Sequence, residues 1–352
     1  MRFGLFGSAA ARRGSGEFDS TEGYRDFIEY NVEAEALGFH GTFVVEHHFT
    51  GFGQVSATLN LLTWLGARTK TLRLGTAVMV LPWHNPVLLA EQAATLDLLS
   101  GGRLDFGIGT GYRYNEFTGF DVGMDEAREK FEESIGVILK AWTSEERFSH
   151  RGKYWTFNDV IVEPPPFRKP HPVVWMGAGS ERSIRDVARR GFNLLLGQYA
   201  SPADVAQSVA IFREAVEAKG EVWDPMRVGI TRAFFVAEND RERDEALERR
   251  LANRMRQLKL ATAPDGTVLG GPDRASGDPN AVNVNSAIYG TPDEIARKLR
   301  DLQAAGAGYL LMNGGGSGGG ERGRRSLRRF AREIMPVFVP AFVEEPKAQA
   351  AE

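Results

Sequence analysis

Two adjacent histidines are the first candidates for chemistry in this chain. His47 and His48 follow Glu46 at the end of a short apolar run that is typical of a β-strand. Because imidazole titrates near neutral pH, either ring could serve as a general acid/base or a hydrogen-bond donor. The remaining histidines are scattered, at positions 40, 84, 150 and 171, and no ligand spacing accompanies the pair, so a metal site has no support. A pair of histidines satisfied within the scaffold is the alternative.

Two segments of small residues are further candidates, since each ends a predicted strand. The first, Gly109-Thr110-Gly111-Tyr112, would let a ligand approach the backbone or would permit a bend. The second, Gly177-Ala178-Gly179-Ser180, precedes a predicted helix that also contains Ser183. Hydroxyls and backbone N–H groups at a helix start can bind an anion, whereas simple N-capping by Ser180 is the structural alternative.

A third glycine-rich segment imitates a dinucleotide-binding motif. The run Gly318-Gly319-Gly320-Glu321-Arg322-Gly323 matches G-x-G-x-x-G, follows a predicted strand and opens a helix. A dinucleotide fold would need a second strand carrying an acidic residue, and only about thirty residues remain. We therefore expect a glycine-rich loop at the site rather than a nicotinamide-binding fold.

The elements that must position these segments alternate between strand and helix. Eight β-rich runs are each followed by a helical pattern, which predicts a parallel sheet, closed or open. Eight strands close a TIM (β/α)8 barrel, so we favour one barrel over two doubly wound domains. The predicted strands are Arg2–Gly7, Gly41–Glu46, Leu72–Leu81, Arg103–Gly109, Pro172–Gly177, Phe192–Leu196, Arg227–Ala237 and Tyr309–Met312.

Insertions interrupt this alternation after strands 4 and 7 and near the C-terminus. Thr143–His171 is rich in aromatic residues and proline and suggests a hairpin. Leu258–Asn285 has little periodicity and is expected to be a long, mobile loop. We expect one domain over residues 1–342 and a disordered tail over residues 343–352.

Composition limits the classes of protein to consider. The 352 residues contain no cysteine, which excludes disulfides, thiolate metal sites and cysteine nucleophiles. The formal charge of -3 gives no reason to expect nucleic acid or an anionic membrane as a partner. No long uncharged apolar run predicts a membrane span or a signal peptide, so we expect a cytoplasmic protein.

Three sequence blocks together resemble the α subunit of bacterial luciferase and its monooxygenase relatives. The intervals between the blocks match as well, and the likeness extends from the first strand to about residue 200 and resumes at Gly290. The blocks are Val44-Val45-Glu46-His47-His48-Phe49-Thr50, then residues 74–82, LGTAVMVLP, and residues 101–109, GGRLDFGIG.

The resemblance implies a TIM barrel that uses reduced FMN, supplied by a separate NAD(P)H:flavin reductase. Oxygen would add to the flavin as a C4a-peroxyflavin, and one oxygen atom would enter a small organic substrate. His47 occupies the place of the family's catalytic histidine. Ala77 and Val78 occupy the place of a non-prolyl cis peptide beneath the flavin ring. Ser180 and Ser183 fall where phosphate-binding hydroxyls lie.

The resemblance also implies that Met176 lies near the flavin ring and that Gly109, Thr110, Tyr112 and Gly179 belong to the flavin site. Two positions depart from luciferase: Gly109 replaces a reactive cysteine, and Thr110 replaces an arginine that binds phosphate. The glycine is expected to leave room near the flavin, and the loss of the arginine to weaken the grip on phosphate. Light emission is therefore not implied.

Other functions remain open at this point. A flavin- or deazaflavin-dependent hydride-transfer enzyme that does not use oxygen is the main alternative. A non-catalytic subunit and a barrel hydrolase are weaker ones, since His47 is present and no metal cluster is evident. Aromatic residues near the predicted site favour a hydrophobic substrate, of aldehyde or ketone type; they are Trp83, Tyr112, Phe117 and Tyr199. The resemblance further implies a homodimer.

Overall fold

The computed structural model of the chain describes residues 1–11, 20–51, 53–266, 278–314 and 320–339. Twelve strands occur in these ranges. The eight runs predicted from the sequence correspond to nine of them, because the run Leu72–Leu81 covers two short strands, and the ends shift only slightly. The strands are β1 Arg2–Gly7, β2 Gly41–Val44, β3 Arg73–Thr76, β4 Met79–Val80, β5 Leu104–Gly109, β6 Phe148–Arg151, β7 Thr156–Val160, β8 Val173–Gly177, β9 Asn193–Leu196, β10 Val228–Val236, β11 Ile288–Gly290 and β12 Tyr309–Asn313.

Eight of the strands form a closed parallel barrel. The order β1-β2-β3-β5-β8-β9-β10-β12 returns to β1, and the two-residue β4 continues β3 alongside β5. Closure is visible in β10, which pairs with β9 through Ile230 and Leu196 and with β12 through Ile230 and Leu310. The predicted TIM barrel is therefore confirmed.

Side chains alternate across the barrel wall, as a period of two requires. Phe43, Trp175, Leu195, Tyr309 and Leu311 form a cluster inside the barrel. Their neighbours along the strands belong to the larger core that is shared with the helices. Apolar side chains are present on both faces of the strands because a parallel barrel sheet is buried on both its inner and its outer face.

Helices cover the outside of the barrel. Most begin and end within a few residues of the predicted bounds. They are α1 Ser20–Ala36, α2 Thr58–Arg68, α3 Pro86–Ser100, α4 Tyr114–Gly119, α5 Ala127–Thr143, α6 Glu181–Arg189, α7 Pro202–Glu217, α8 Asp240–Leu260, α9 Pro279–Ser286, α10 Pro292–Ala304, α11 Gly320–Arg329 and α12 Met335–Phe338. A wider π-helical turn, Phe330–Ile334, joins the last two.

The insertions are partly as predicted. Strands β6 and β7 form the expected antiparallel hairpin. The prediction of one irregular loop over Leu258–Asn285 was wrong at both ends, because α8 continues to Leu260 and α9 starts at Pro279. The Asp278 side chain accepts a hydrogen bond from the backbone N–H of Ala281, a helix cap that outweighs the polar composition of the segment.

Parts of two predictions lie outside the described residues. These are the middle of the predicted mobile loop, residues 267–277, and the predicted disordered tail, residues 343–352. Within the described ranges, none of the helices combines the length and the apolar character that a bilayer crossing requires.

Candidate active site

Loops at the carboxyl ends of the barrel strands enclose one large cavity of about 1240 Å³. This is the end of the barrel at which TIM-barrel enzymes place their chemistry. Eight of the ten residues predicted for the site line this cavity: His47, Ala77, Val78, Gly109, Thr110, Tyr112, Gly179 and Ser180. The structure therefore brings together residues that are as much as 133 positions apart in the chain.

His47 is held by a glutamate that the sequence did not single out. Its Nδ1 lies 2.9 Å from Oε1 of Glu116, a buried residue of α4. The same oxygen accepts a hydrogen bond from the backbone N–H of His48, at 2.9 Å. When His47 donates its Nδ1–H to Glu116, Nε2 is left as the nitrogen that can accept a proton.

A buried arginine acts on the same histidine. Arg113 is 1% exposed, and its Nη1 donates to Oε1 of Gln54 at 3.0 Å and lies 3.9 Å from Glu116. Burial and the charge of Arg113 lower the pKa of His47 below its ordinary value, although Glu116 opposes this. His47 is therefore neutral at pH 7, which suits a proton acceptor.

Glu46 joins the second histidine to the neighbouring strand. Its Oε1 lies 3.0 Å from Nε2 of His48 and 2.6 Å from Nε2 of His84, and its Oε2 accepts from the backbone N–H of Val80. Burial raises the pKa of Glu46, but the hydrogen bonds of the two histidines outweigh it and lower the pKa overall. His48 is thus part of the scaffold, whereas His47 lines the cavity.

The peptide bond between Ala77 and Val78 is cis, as the resemblance implied. Both residues line the cavity beside Gly109. The room that Gly109 was expected to leave is already filled, because a Cβ at that position would lie 2.6 Å from Cγ2 of Val78. That expectation was therefore wrong: the glycine accommodates Val78 rather than opening a space.

Ser180 and Ser183 cap the start of α6. Each side chain accepts a hydrogen bond from the other residue's backbone N–H, at 3.3 Å and 3.1 Å. Ser180 lines both the main cavity and a smaller one of about 550 Å³, whereas Ser183 lines only the smaller one. The capping role is thus observed. Beside the two serines, the small cavity is lined by one acid, Asp186, and by four arginines: Arg128, Arg182, Arg185 and Arg189.

Met176 does not line the cavity. It is buried in the core between the barrel and the helices, while its neighbour Trp175 points into the barrel. The alternation along β8 therefore turns Met176 away from the site in which it was expected. Two of the aromatic residues that suggested an apolar pocket, Trp83 and Phe117, also lie outside the cavity lining. Their rings pack against each other, with centroids 5.5 Å apart.

The sequence reasoning missed several residues that shape the cavity. Glu116 and Arg113 lie in and next to α4, within a segment that was expected to be an irregular loop. Their spacing of three residues, which suits an ion pair on a helix, was the available signal. Arginines of α8 also line the cavity, and their signal was a helix dense in arginine.

Part of the glycine-rich segment that imitates a dinucleotide-binding motif also lines the cavity. Gly323, in α11, lines the cavity next to Arg322, as expected for a segment at the barrel mouth. Gly318 and Gly319 lie outside the described residues. In the described part of the chain, no three His, Asp or Glu side chains gather as metal ligands.

Comparison with known proteins identifies the family of the chain. A sequence model of the luciferase-like monooxygenases matches residues 1–308. The oxygenase component of a flavin-dependent trigonelline monooxygenase from Acinetobacter baylyi is 26% identical, over 99% of this chain and 98% of its own. An FMNH2-dependent dimethylsulfone monooxygenase from Pseudomonas putida is 27% identical, over 81% and 82%.

Among solved structures, the monooxygenase RslO1 from Streptomyces bottropensis superimposes with a TM-score of 0.83 at 26% identity, covering 96% of this chain and 100% of that one. The matched residues contain every strand of the barrel except β12, together with His47, the cis peptide and the serine pair. The chain belongs to the family of luciferase-like monooxygenases and is a flavin-dependent monooxygenase.

Proposed function

We propose that the chain is the oxygenase of a two-component system that takes FMN in its reduced form from a separate NAD(P)H:flavin reductase. The substrate is a small organic molecule with an apolar body, of aldehyde or ketone type. Reduced FMN supplies two electrons to O2, so that one oxygen atom enters the substrate and the other leaves as water. The observation that carries the proposal is the meeting of His47 and the cis peptide in one cavity.

The residues present fit a flavin. The backbone at Gly177 and Gly179 is open, because a Cβ at either position would meet no atom within 4 Å. Ala77, Val78 and Gly109 offer a small apolar surface for the ring, with Thr110, Tyr112 and Gly179 along its sides. Ser180 and Ser183 stand at a helix start beside four arginines, which suits the phosphate.

Those arginines offset the departure at Thr110. An arginine is missing from the end of β5, but Arg128 of α5 and Arg182 of α6 line the small cavity with the serines. Arg128 is itself bound to Glu132, 2.7 Å away, so its charge is shared between the two. Met176 is not part of this proposal, since it faces the outer core.

His47 is the residue proposed to accept and return a proton during the reaction. Its neutral ring can accept a proton from the reacting atoms at Nε2 and return it to the oxygen atom that leaves as water. Glu116 fixes the ring and its tautomer through Nδ1, and Arg113 keeps the resting ring unprotonated. Apolar side chains from the barrel mouth exclude water from this part of the cavity: Phe6, Leu195, Leu196 and Phe234.

Oxygen uptake tests the proposal. The protein is mixed with photoreduced FMN and a panel of aldehydes and cyclic ketones, and the products are analysed by mass spectrometry with 18O2. We expect one labelled oxygen atom in a product. Substrate turnover that proceeds equally without oxygen would instead establish hydride transfer. Consumption of NADH without an added reductase would remove the two-component part of the proposal.

The protein should act as a homodimer through α2 and α3. These two helices pack against each other and carry large exposed apolar side chains. Leu88 and Leu99 lie on one side of α3, because eleven residues make about three helical turns, and Trp64 extends the surface on α2. Several large apolar side chains exposed on two packed helices are typical of a protein interface.

A further inference from the structure

One wall of the cavity carries far more positive than negative charge. The carboxylates that line the cavity in the described residues are Glu46 and Glu116, and both are hydrogen-bonded to histidines. Against them stand six arginines, most of them on α8: Arg113, Arg249, Arg250, Arg254, Arg256 and Arg322. Arg113, Arg249 and Arg322 each have a carboxylate within 4 Å, at Glu116, Glu245 and Glu242 respectively. The excess positive charge that would attract an anion therefore rests chiefly on Arg250 and Arg254.

Two of these arginines have only neutral partners among the described residues. Arg250 donates to the backbone oxygen and Oδ1 of Asn283 and to Oγ of Ser286. Arg254 donates from Nη1 to the backbone oxygen of Pro279, at 3.0 Å. Both guanidinium groups lie over the ring of Tyr199, at 5.1 Å and 4.4 Å from its centroid.

Arg254 has a hydrogen-bond donor that the described residues do not satisfy. The residue is 3% exposed, yet its Nε has no hydrogen-bond partner in the described part of the chain. Leaving a charged donor buried and unpaired is costly. The cost is also visible at Arg250, where burial lowers the pKa of the guanidinium.

A structural role, in which Arg250 and Arg254 hold α9 against α8, accounts for only part of these observations. The bonds of Arg250 and Arg254 to α9 use neutral acceptors, which an amide side chain could also serve. They leave both positive charges uncompensated and the Nε of Arg254 free. An anion in the cavity would compensate both positive charges, since guanidinium binds oxyanions through two parallel N–H groups.

We propose that Arg254, with Arg250, binds an oxyanion of the substrate, of the carboxylate class. The proposal rests on the proposed function and narrows its substrate to an apolar body that bears a negative group. The phosphate of FMN is proposed to bind at Ser180 and Ser183, on the side of the smaller cavity, which has arginines of its own. The main cavity, about 1240 Å³, also exceeds the roughly 300–1,000 Å³ typical of a single ligand, which leaves room beside a flavin.

A matched pair of probes tests the proposal without flavin. Naphthalene-2-carboxylate and naphthalene-2-carboxamide have nearly the same shape and differ in charge. By isothermal titration calorimetry we expect the carboxylate to bind at least about tenfold more tightly than the amide, because a hydrogen bond to a charged group contributes that much. Arg254→Gln should remove most of this preference and leave amide binding unchanged.

Control variants separate charge from packing. Arg241→Gln removes an exposed arginine of the same helix that pairs with Glu245, and it should leave both probes unaffected. Arg254→Lys keeps the positive charge and should retain part of the preference for the carboxylate. It replaces Arg254→Gln as the test if the Gln variant does not fold. Equal affinity of the wild-type protein for the two probes, or equal weakening of both by Arg254→Gln, would overturn the proposal.

The FMN phosphate is the other anion that Arg254 could bind, and it must be distinguished from a substrate anion. Binding of FMN and riboflavin is measured in Arg254→Gln, and we expect neither affinity to change by more than about twofold. A selective loss of FMN affinity of tenfold or more would assign this wall to the phosphate and overturn the substrate proposal. These titrations need no turnover, so failure of the oxygen-uptake test would leave them interpretable.

Discussion

Glu116 Oε1 lies 2.9 Å from His47 Nδ1 and, at the same distance, accepts the backbone N–H of His48. One carboxylate oxygen therefore orients the histidine ring and ties down the loop that carries it. The glutamate comes from a helix that follows β5, whereas the histidine follows β2. The site is thus assembled across barrel strands that are not neighbours.

Replacing His47 should reduce turnover and leave the fold intact. For His47→Ala we expect a loss of about 10²–10⁴-fold, the usual contribution of a positioned acid/base. Reduced-FMN affinity should change far less, because the phosphate is proposed to bind near Ser180. His48→Ala, which removes a scaffold contact to Glu46, is the matched control and should be milder. Near-normal single-turnover product yield in His47→Ala would refute the assignment.

Replacing Glu116 should act through His47. Glu116→Gln keeps the size of the side chain but exchanges a charged acceptor for an amide, so we expect kcat to fall about 10- to 100-fold, the equivalent of one charge-assisted hydrogen bond. KM should change little. The pH profile of kcat should also shift to lower pH, since Glu116 favours the protonated ring. An unchanged pH profile would show that the glutamate only supports the loop.

The pH dependence of stability should also report His47. Because its folded-state pKa is below the ordinary 6.5, the folded protein binds fewer protons than the unfolded chain as the pH falls from 6.5. His47 therefore contributes stability that is complete above pH 6.5 and declines below it. Urea denaturation between pH 5 and 8 should give a smaller pH dependence for His47→Gln than for the wild type. Identical slopes would mean that the ring titrates normally.

A side chain at position 109 should clash with Val78. In Gly109→Ala the new Cβ would lie 2.6 Å from Val78 Cγ2, and overpacking of this kind costs about 1–3 kcal/mol of the free energy of unfolding. Val78→Ala should recover most of the loss, and urea denaturation of both single variants and the double variant measures the coupling. Additive effects would show that the two residues do not share the space.

The α2–α3 surface should control oligomeric state. Light scattering should give twice the chain mass of 38.8 kDa for the wild type and the chain mass for Leu99→Glu, because a charge would be buried in the interface. Leu99 is 68% exposed, and Val222, also highly exposed, lies away from both helices, so Val222→Glu is the control. A wild-type protein at 38.8 kDa would refute the dimer.

The barrel itself was predictable from the sequence. Alternating strand and helix patterns produced eight strands at nearly the observed positions, because period-two burial and helix caps are local properties. The resemblance of the His47 block and the two following blocks added the place of the cis peptide. The start of α9 was not predicted, because the polar composition of the segment indicated a loop although a capping aspartate is present.

What the tertiary structure decided is which side chains meet. The family resemblance implied that Met176 lies near the flavin ring, whereas its position in the strand turns it towards the helices. Glu116 and Arg254 carry local signals, an Arg-x-x-Glu spacing and a helix dense in arginine, but these do not reveal their roles, which depend on partners 69 and 25 positions away. The sequence by itself determined the barrel and the strand ends that carry the site. Only the closure of the barrel determined the partners, since contacts between distant segments depend on packing.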